Sequence, residues 1–85
     1  MDTVKKALTL AQAPQGVPLK IQAILGGEGV RRRLFALGFH IDDLIELDSE
    51  AIFQGPVLVR NLTSDTTVAL GRGIAQKIMV EIAND

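Results

Sequence analysis

Short apolar runs of alternating polarity, separated by small-residue hinges, constrain this chain more than any other feature. The hinges fall in the order Gly26-Gly27-Glu28-Gly29, Leu37-Gly38-Phe39, Gly55-Pro56-Val57 and Gly71-Arg72-Gly73. Glycine permits positive φ and close backbone approach, so each hinge marks a sharp turn. Between the hinges, Leu19, Ile21 and Ala23 alternate with Lys20 and Gln22, the period-two signature of a half-buried strand. Leu44 to Glu50 repeats the pattern, with Ile45 and Leu47 on one face and Glu46 and Asp48 on the other. Val57–Leu62 and Thr67–Leu70 flank the turn-forming Thr63-Ser64-Asp65-Thr66 as a hairpin, and Lys77–Ile82 closes the series with Ile78, Val80 and Ile82 inward.

One segment breaks the period. Val30, Leu34 and Leu37 stand at i, i+4 and i+7, which predicts a short helix over 30–37 with an apolar stripe. Gly38 stands where a left-handed C-cap belongs, and Phe39 just beyond it can pack back on the last turn. A helical turn is expected near 72–76. The fold class is therefore mainly β: a small barrel of about five antiparallel strands with one short helix.

An 85-residue chain is one domain's worth. A domain of this size buries only roughly 60% of the surface its unfolded chain exposes. With no cysteine to staple it, stability rests on an aliphatic core around Phe35, Phe39 and Phe53. The expected buried set is Ile21, Leu34, Leu37, Ile45, Val59, Ala69, Ile78 and Val80. Residues 1–85 read as a single domain, with residues 1–8 frayed or forming a helical turn. No apolar run approaches the ~20 residues that span a bilayer. Lys5-Lys6 and Ala7-Leu8-Thr9-Leu10 before Ala11-Gln12-Ala13 imitate a secretory signal, but the apolar stretch is too short. The expectation is a cytoplasmic protein without membrane insertion, in which the Asn61-Leu62-Thr63 sequon carries no glycan.

The net charge of −1 gives no broad field for nucleic acid. The charges are nonetheless segregated into Arg31-Arg32-Arg33 and, soon after, Asp42, Asp43, Glu46, Asp48 and Glu50. Arg31 and Arg32 point away from the apolar stripe and form a candidate partner surface. Arg33 flanks the stripe and is expected half-buried against a carboxylate. Ile52, Phe53 and Gln54, apolar groups in a loop before Gly55-Pro56, form a second candidate surface. His40, the only histidine, with Asp42 and Asp43 is the one candidate metal set; imidazole and carboxylate suit a weakly held Fe²⁺ or Zn²⁺. Gly26-Gly27-Glu28-Gly29 lacks the lysine of a phosphate loop and the third glycine of a dinucleotide fingerprint, so it reads as a turn that aims the helix. A lone histidine far from Ser49 and Ser64 supports no triad, and the reading is not an enzyme.

Leu10, Gly16, Gly26-Gly27, Arg31-x-Arg33-Leu34-x-x-Leu37-Gly38-Phe39, Ile45, Gly55-Pro56, Val68-Ala69-Leu70, Arg72-Gly73, Ala75 and Ile78 form an ordered set. Over Leu10 to Ile82 this set resembles the FeoA-like domain family. The resemblance implies an SH3-like β-barrel, of the kind also found at the C-terminus of iron-dependent repressors. It also implies a cytoplasmic accessory or regulatory role in ferrous-iron uptake, partnered by a large membrane transporter with a GTP-binding domain. The expected state is a monomer or a weak homodimer, with no required cofactor. The chain departs from the family at Ile41-Asp42-Asp43, where a glycine turn is usual, and at Gln54 before Gly55-Pro56. Asp tolerates left-handed geometry better than most residues. Two alternatives compete. A metal sensor or metallochaperone would use His40 and its neighbouring carboxylates. A nucleic-acid-binding barrel would use Arg31, Arg32 and Arg72, and the absence of Tyr and Trp for base stacking counts against it.

Overall fold

The computed structural model describes residues 7–48 and 55–83. Strands β1 (Leu8–Thr9), β2 (Leu19–Ile24), β3 (Leu44–Leu47), β4 (Val57–Asn61), β5 (Thr66–Leu70) and β6 (Ile78–Ile82) form one antiparallel sheet. Their order is β1-β6-β2-β3-β4-β5. Helix α1 (Glu28–Ala36) connects β2 to β3, and the single turn α2 (Arg72–Ala75) connects β5 to β6. The mainly β class and the position of the two helices match the sequence reading. The sheet has six strands because Leu8, expected to lie in a frayed or helical start, pairs with Val80, and Thr9 with Met79.

No ladder joins β5 to β1 among the described residues. That side of the barrel is instead bridged by packing, where a 3-10 turn at Leu10–Gln12 meets α2. Leu10 and Ala75, one from each, are both fully buried. The Thr9 N–H donates to Gln12 Oε1 at 3.2 Å, which fixes the start of that turn.

The core follows the period-two rows. Leu19 and Ile21 of β2, Ile45 and Leu47 of β3, Val57 and Val59 of β4, and Ile78 and Val80 of β6 are buried. A bulge at Gln22 shifts the β2–β6 register between Ile21↔Val80 and Ala23↔Met79, which adds local twist. Three expectations of burial fail, each for its own reason. Ala69 is exposed, since it stands opposite Leu58 and out of phase with the inward row that pairs Val57 with Leu70. Ile82 is 40% exposed at the very end of its strand. Phe35 is 66% exposed because the residue beside Leu34 on the helix points a quarter-turn off the buried stripe.

Helix α1 begins two residues earlier than expected, because Gly26 and Gly27, both with positive φ, turn the chain sharply off β2. Gly26 has φ 94°, which strains any L side chain, and a Cβ there would also crowd Val30 Cγ2 at 3.1 Å and Lys77 Cδ at 3.2 Å. The helix ends in a Schellman motif. Gly38, at φ 94°, donates its N–H to the Phe35 carbonyl at 3.0 Å, and the Phe39 N–H reaches Leu34 at 2.9 Å. Leu37, expected in the core, is the C-cap and is 38% exposed; the motif delivers Phe39 to the core instead, 1% exposed against fully buried Leu34.

Candidate interaction surface

The turn that follows α1 is built from His40 to Asp43. The Asp43 N–H donates to the His40 carbonyl at 3.1 Å, and Asp42 at the third position has φ 76°, the positive φ of a type II turn. Aspartate here does the work expected of the missing glycine. Two bonds clamp the turn to the sheet: Asp42 N–H to the Ile21 carbonyl at 2.8 Å, and Ile21 N–H to the Asp43 carbonyl at 3.0 Å.

Of the three candidate metal ligands, the fold brings two together. His40 Nδ1 lies 3.3 Å from Asp43 Oδ2. Asp42 points elsewhere, its side chain 75% exposed and 3.8 Å from Lys20 Nζ. Asp43 Oδ2 also accepts the His40 N–H at 3.0 Å and Asn61 Nδ2 at 3.0 Å. Burial alone raises the Asp43 pKa, but the bonds from Asn61 and His40 outweigh it and hold the carboxyl below its ordinary value. Among the described residues no group of three or more His, Cys, Asp or Glu side chains gathers in a way that could hold a metal.

Asn61 is the residue that sequence reasoning missed. It is the only buried polar or charged side chain among the described residues, 1% exposed. Its Nδ2 donates to the Gly38 carbonyl at 3.1 Å as well as to Asp43, and its Oδ1 accepts the N–H groups of Thr63 and Ser64 at 2.9 and 3.1 Å. One side chain thus ties the end of α1, the 40–43 turn and the β4–β5 turn together. The signal was present: Asn61 continues the inward phase of Val57 and Val59, and it precedes Thr63 and Ser64 at the spacing of an Asx turn.

The outer face of α1 carries the predicted partner residues. Arg31 and Arg32 are exposed, and Arg33, expected half-buried, is exposed too. Arg32 stands 3.5 Å from Glu28 one turn earlier. Arg31 Nε reaches the Ile24 carbonyl at 3.4 Å, across to the end of β2. Phe35 lies on the same face and meets the His40 ring edge-on, with centroids 5.0 Å apart. A shallow concavity of about 460 Å³ runs along Glu28, Arg31, Arg32 and Phe35. Another, of about 430 Å³, is lined by the end of β2, Arg31 and Ile41. Ile52, Phe53 and Gln54, the second candidate surface, lie outside the described residues. Arg72, the third cation of the nucleic-acid reading, is exposed at the start of α2. No helix among the described residues is long and apolar enough to cross a membrane.

Comparison with known proteins places this architecture. A protein of Methanocaldococcus jannaschii described as a putative Fe(2+) transport protein A is 35% identical over 74 residues, which cover 87% of this chain and 85% of that protein. The crystal structure of an iron uptake regulatory protein (FeoA) superposes with a TM-score of 0.80 at 24% identity, covering 92% of this chain and all of the other. A manganese-dependent transcriptional repressor shares the fold at a TM-score of 0.80 and 22% identity, with 95% of this chain matched to 44% of the repressor. The model of the FeoA domain matches residues 8–82, so from β1 to the end of β6 this chain belongs to the FeoA domain family, with its SH3-like fold.

Proposed function

We propose that this chain is a non-catalytic accessory protein of ferrous-iron transport that works in the cytoplasm by docking on the GTP-binding region of a membrane iron transporter. Membership of the FeoA domain family supports the transport role, as does the iron transport named for the Methanocaldococcus relative. The observation that carries the docking role is the outer face of α1. There a phenylalanine, 66% exposed, stands among arginines on a domain that already has a complete core. An exposed aromatic beside Arg is the composition of a contact centre. Regulation then follows from binding alone: a domain that prefers one nucleotide state of its partner shifts the population of that state.

The test is direct binding of the purified chain to the transporter's cytoplasmic region, measured by biolayer interferometry at two salt concentrations. Arg31→Glu/Arg32→Glu and Phe53→Ser are compared with wild type after circular dichroism confirms folding. Weakened binding in the arginine variant, with loss of the salt dependence, supports the reading. Absence of binding to any such region overturns it.

The metal-sensor reading rests on the 3.3 Å approach of His40 to Asp43. It is the weaker of the two, since Asp43 Oδ2 already accepts the His40 and Asn61 N–H groups and Asp42 is turned toward Lys20.

A further inference from the structure

Arg31 lines both concavities on this face, which adjoin at its side chain as the two halves of a groove. Its apolar lining comes from Phe35 on α1, Ile24 at the end of β2, and Leu25 and Ile41 in the turns on either side of the helix. Leu25 is 48% exposed and Ile41 49%, so three large side chains, with Phe35, face solvent beside one another's concavities. The charge over this floor is basic. Glu28 is engaged with Arg32, whereas Arg31 and Arg33 have no carboxylate partner among the described residues. Arg31 spends only a long bond on the Ile24 carbonyl, which holds its guanidinium at the junction of the two halves.

From this we infer that the groove receives a short acidic-apolar segment of the transporter's cytoplasmic region, with a carboxylate seated on Arg31 and its apolar side chains against Phe35, Leu25 and Ile41. The inference rests on the docking reading above and adds the site and the chemistry of the bound segment. Charge complementarity selects the occupant. A basic segment would meet Arg31 and Arg32, and a wholly apolar one would desolvate Arg31 with no carboxylate to offset it, which is unfavourable. The guanidinium fork can also grip a carboxylate through two parallel bonds, giving the segment a fixed orientation.

The experiment uses overlapping fifteen-residue peptides spanning the transporter's cytoplasmic region, titrated into the ¹⁵N-labelled full chain, with the intact region titrated in parallel. The expected binders carry a carboxylate beside apolar residues and shift the amides of Leu25, Ile41 and the α1 face. Arg31→Glu should weaken them by about tenfold or more, and replacing the peptide carboxylate with lysine should restore binding to that variant. Phe35→Ser should weaken the same peptides, whereas Arg72→Glu, a cation lining neither concavity, should not. If the intact region binds but shifts residues away from the groove, or if Arg31→Glu binds the acidic peptides as wild type does, the groove assignment is wrong and docking stands. If neither the intact region nor any peptide binds, the docking reading falls and the groove assignment with it.

Discussion

Replacing Asn61 with alanine should destabilise the domain out of proportion to the few atoms removed. The side chain makes four hydrogen bonds to three separate loops. Thr63 and Ser64 are exposed residues, so water can take over part of what Oδ1 accepts from them. The Gly38 carbonyl and the Asp43 carboxylate are different. All four Asn61 bonds are partly buried, but the Asp43 carboxylate is charged and its side chain only 13% exposed, and Gly38 is half-buried. A net hydrogen bond is worth about 1 kcal/mol and one to a charged group about 1.5–3, so Asn61→Ala should cost about 2–4 kcal/mol. Against a total of roughly 4–13 kcal/mol for a domain of this length, that is a large fraction.

The same network sets a pH signature. Asp43's carboxyl is held below its ordinary 3.8 in the folded state. A depressed carboxylate contributes stability that is complete above its unfolded value and disappears as pH falls through the folded one. The wild type should lose this contribution below 3.8, and Asn61→Ala, lacking a main cause of the depression, should lose less. The gap between the two proteins should therefore shrink as pH falls from neutral to below 3.8, because a charge-assisted bond is stronger than a neutral one. Urea denaturation followed by far-UV circular dichroism measures both, since the chain has no Trp or Tyr to report by fluorescence. A cost below about 1 kcal/mol, or a gap that does not change with pH, would refute the account of Asn61 as the tie between the loops.

The fully buried Leu34 predicts a loss of about 2–5 kcal/mol for Leu34→Ala, whereas the exposed Leu37 predicts less than about 1 kcal/mol for Leu37→Ala; thermal melts of the pair separate the two faces of α1. Gly38→Ala should cost about 1–2 kcal/mol, because the Schellman turn needs φ 94° while the space around a new Cβ is open; a neutral result would mean that the turn relaxes. Calorimetric titration with Fe²⁺ or Zn²⁺ should give no saturable heat at micromolar metal, and a saturable heat lost in His40→Ala would reinstate the metal reading.

Local signals in the sequence carried the architecture well, because strand phase, the i, i+4, i+7 stripe and the Gly38 cap each report on a few neighbouring residues. Ala69 and Asn61 were misplaced because their burial depends on something non-local. Ala69 sits in a valid alternating run, yet which phase faces inward is decided by its pairing with β4, and Val57↔Leu70 sets that phase. Leu37 fits the helical stripe, but the cap ends the helix one residue earlier and hands its buried place to Phe39. Asn61 was hidden by the opposite error. A polar residue at a strand end next to turn formers reads as solvent-facing, and only the arrival of Gly38 and Asp43, from distant sequence, makes its burial affordable. The docking face obeys the same logic. Arg31 and Arg32 were legible as solvated charge, whereas the exposure of Phe35, Leu25 and Ile41 beside them follows from how α1 leaves β2 and returns to β3. In a domain this small, one side chain that ties three loops also fixes the edges of any surface those loops present. Asn61 therefore links stability to docking: loosening it should disturb the 40–43 turn, and with it Ile41 and His40 at the groove's rim, without touching the groove directly.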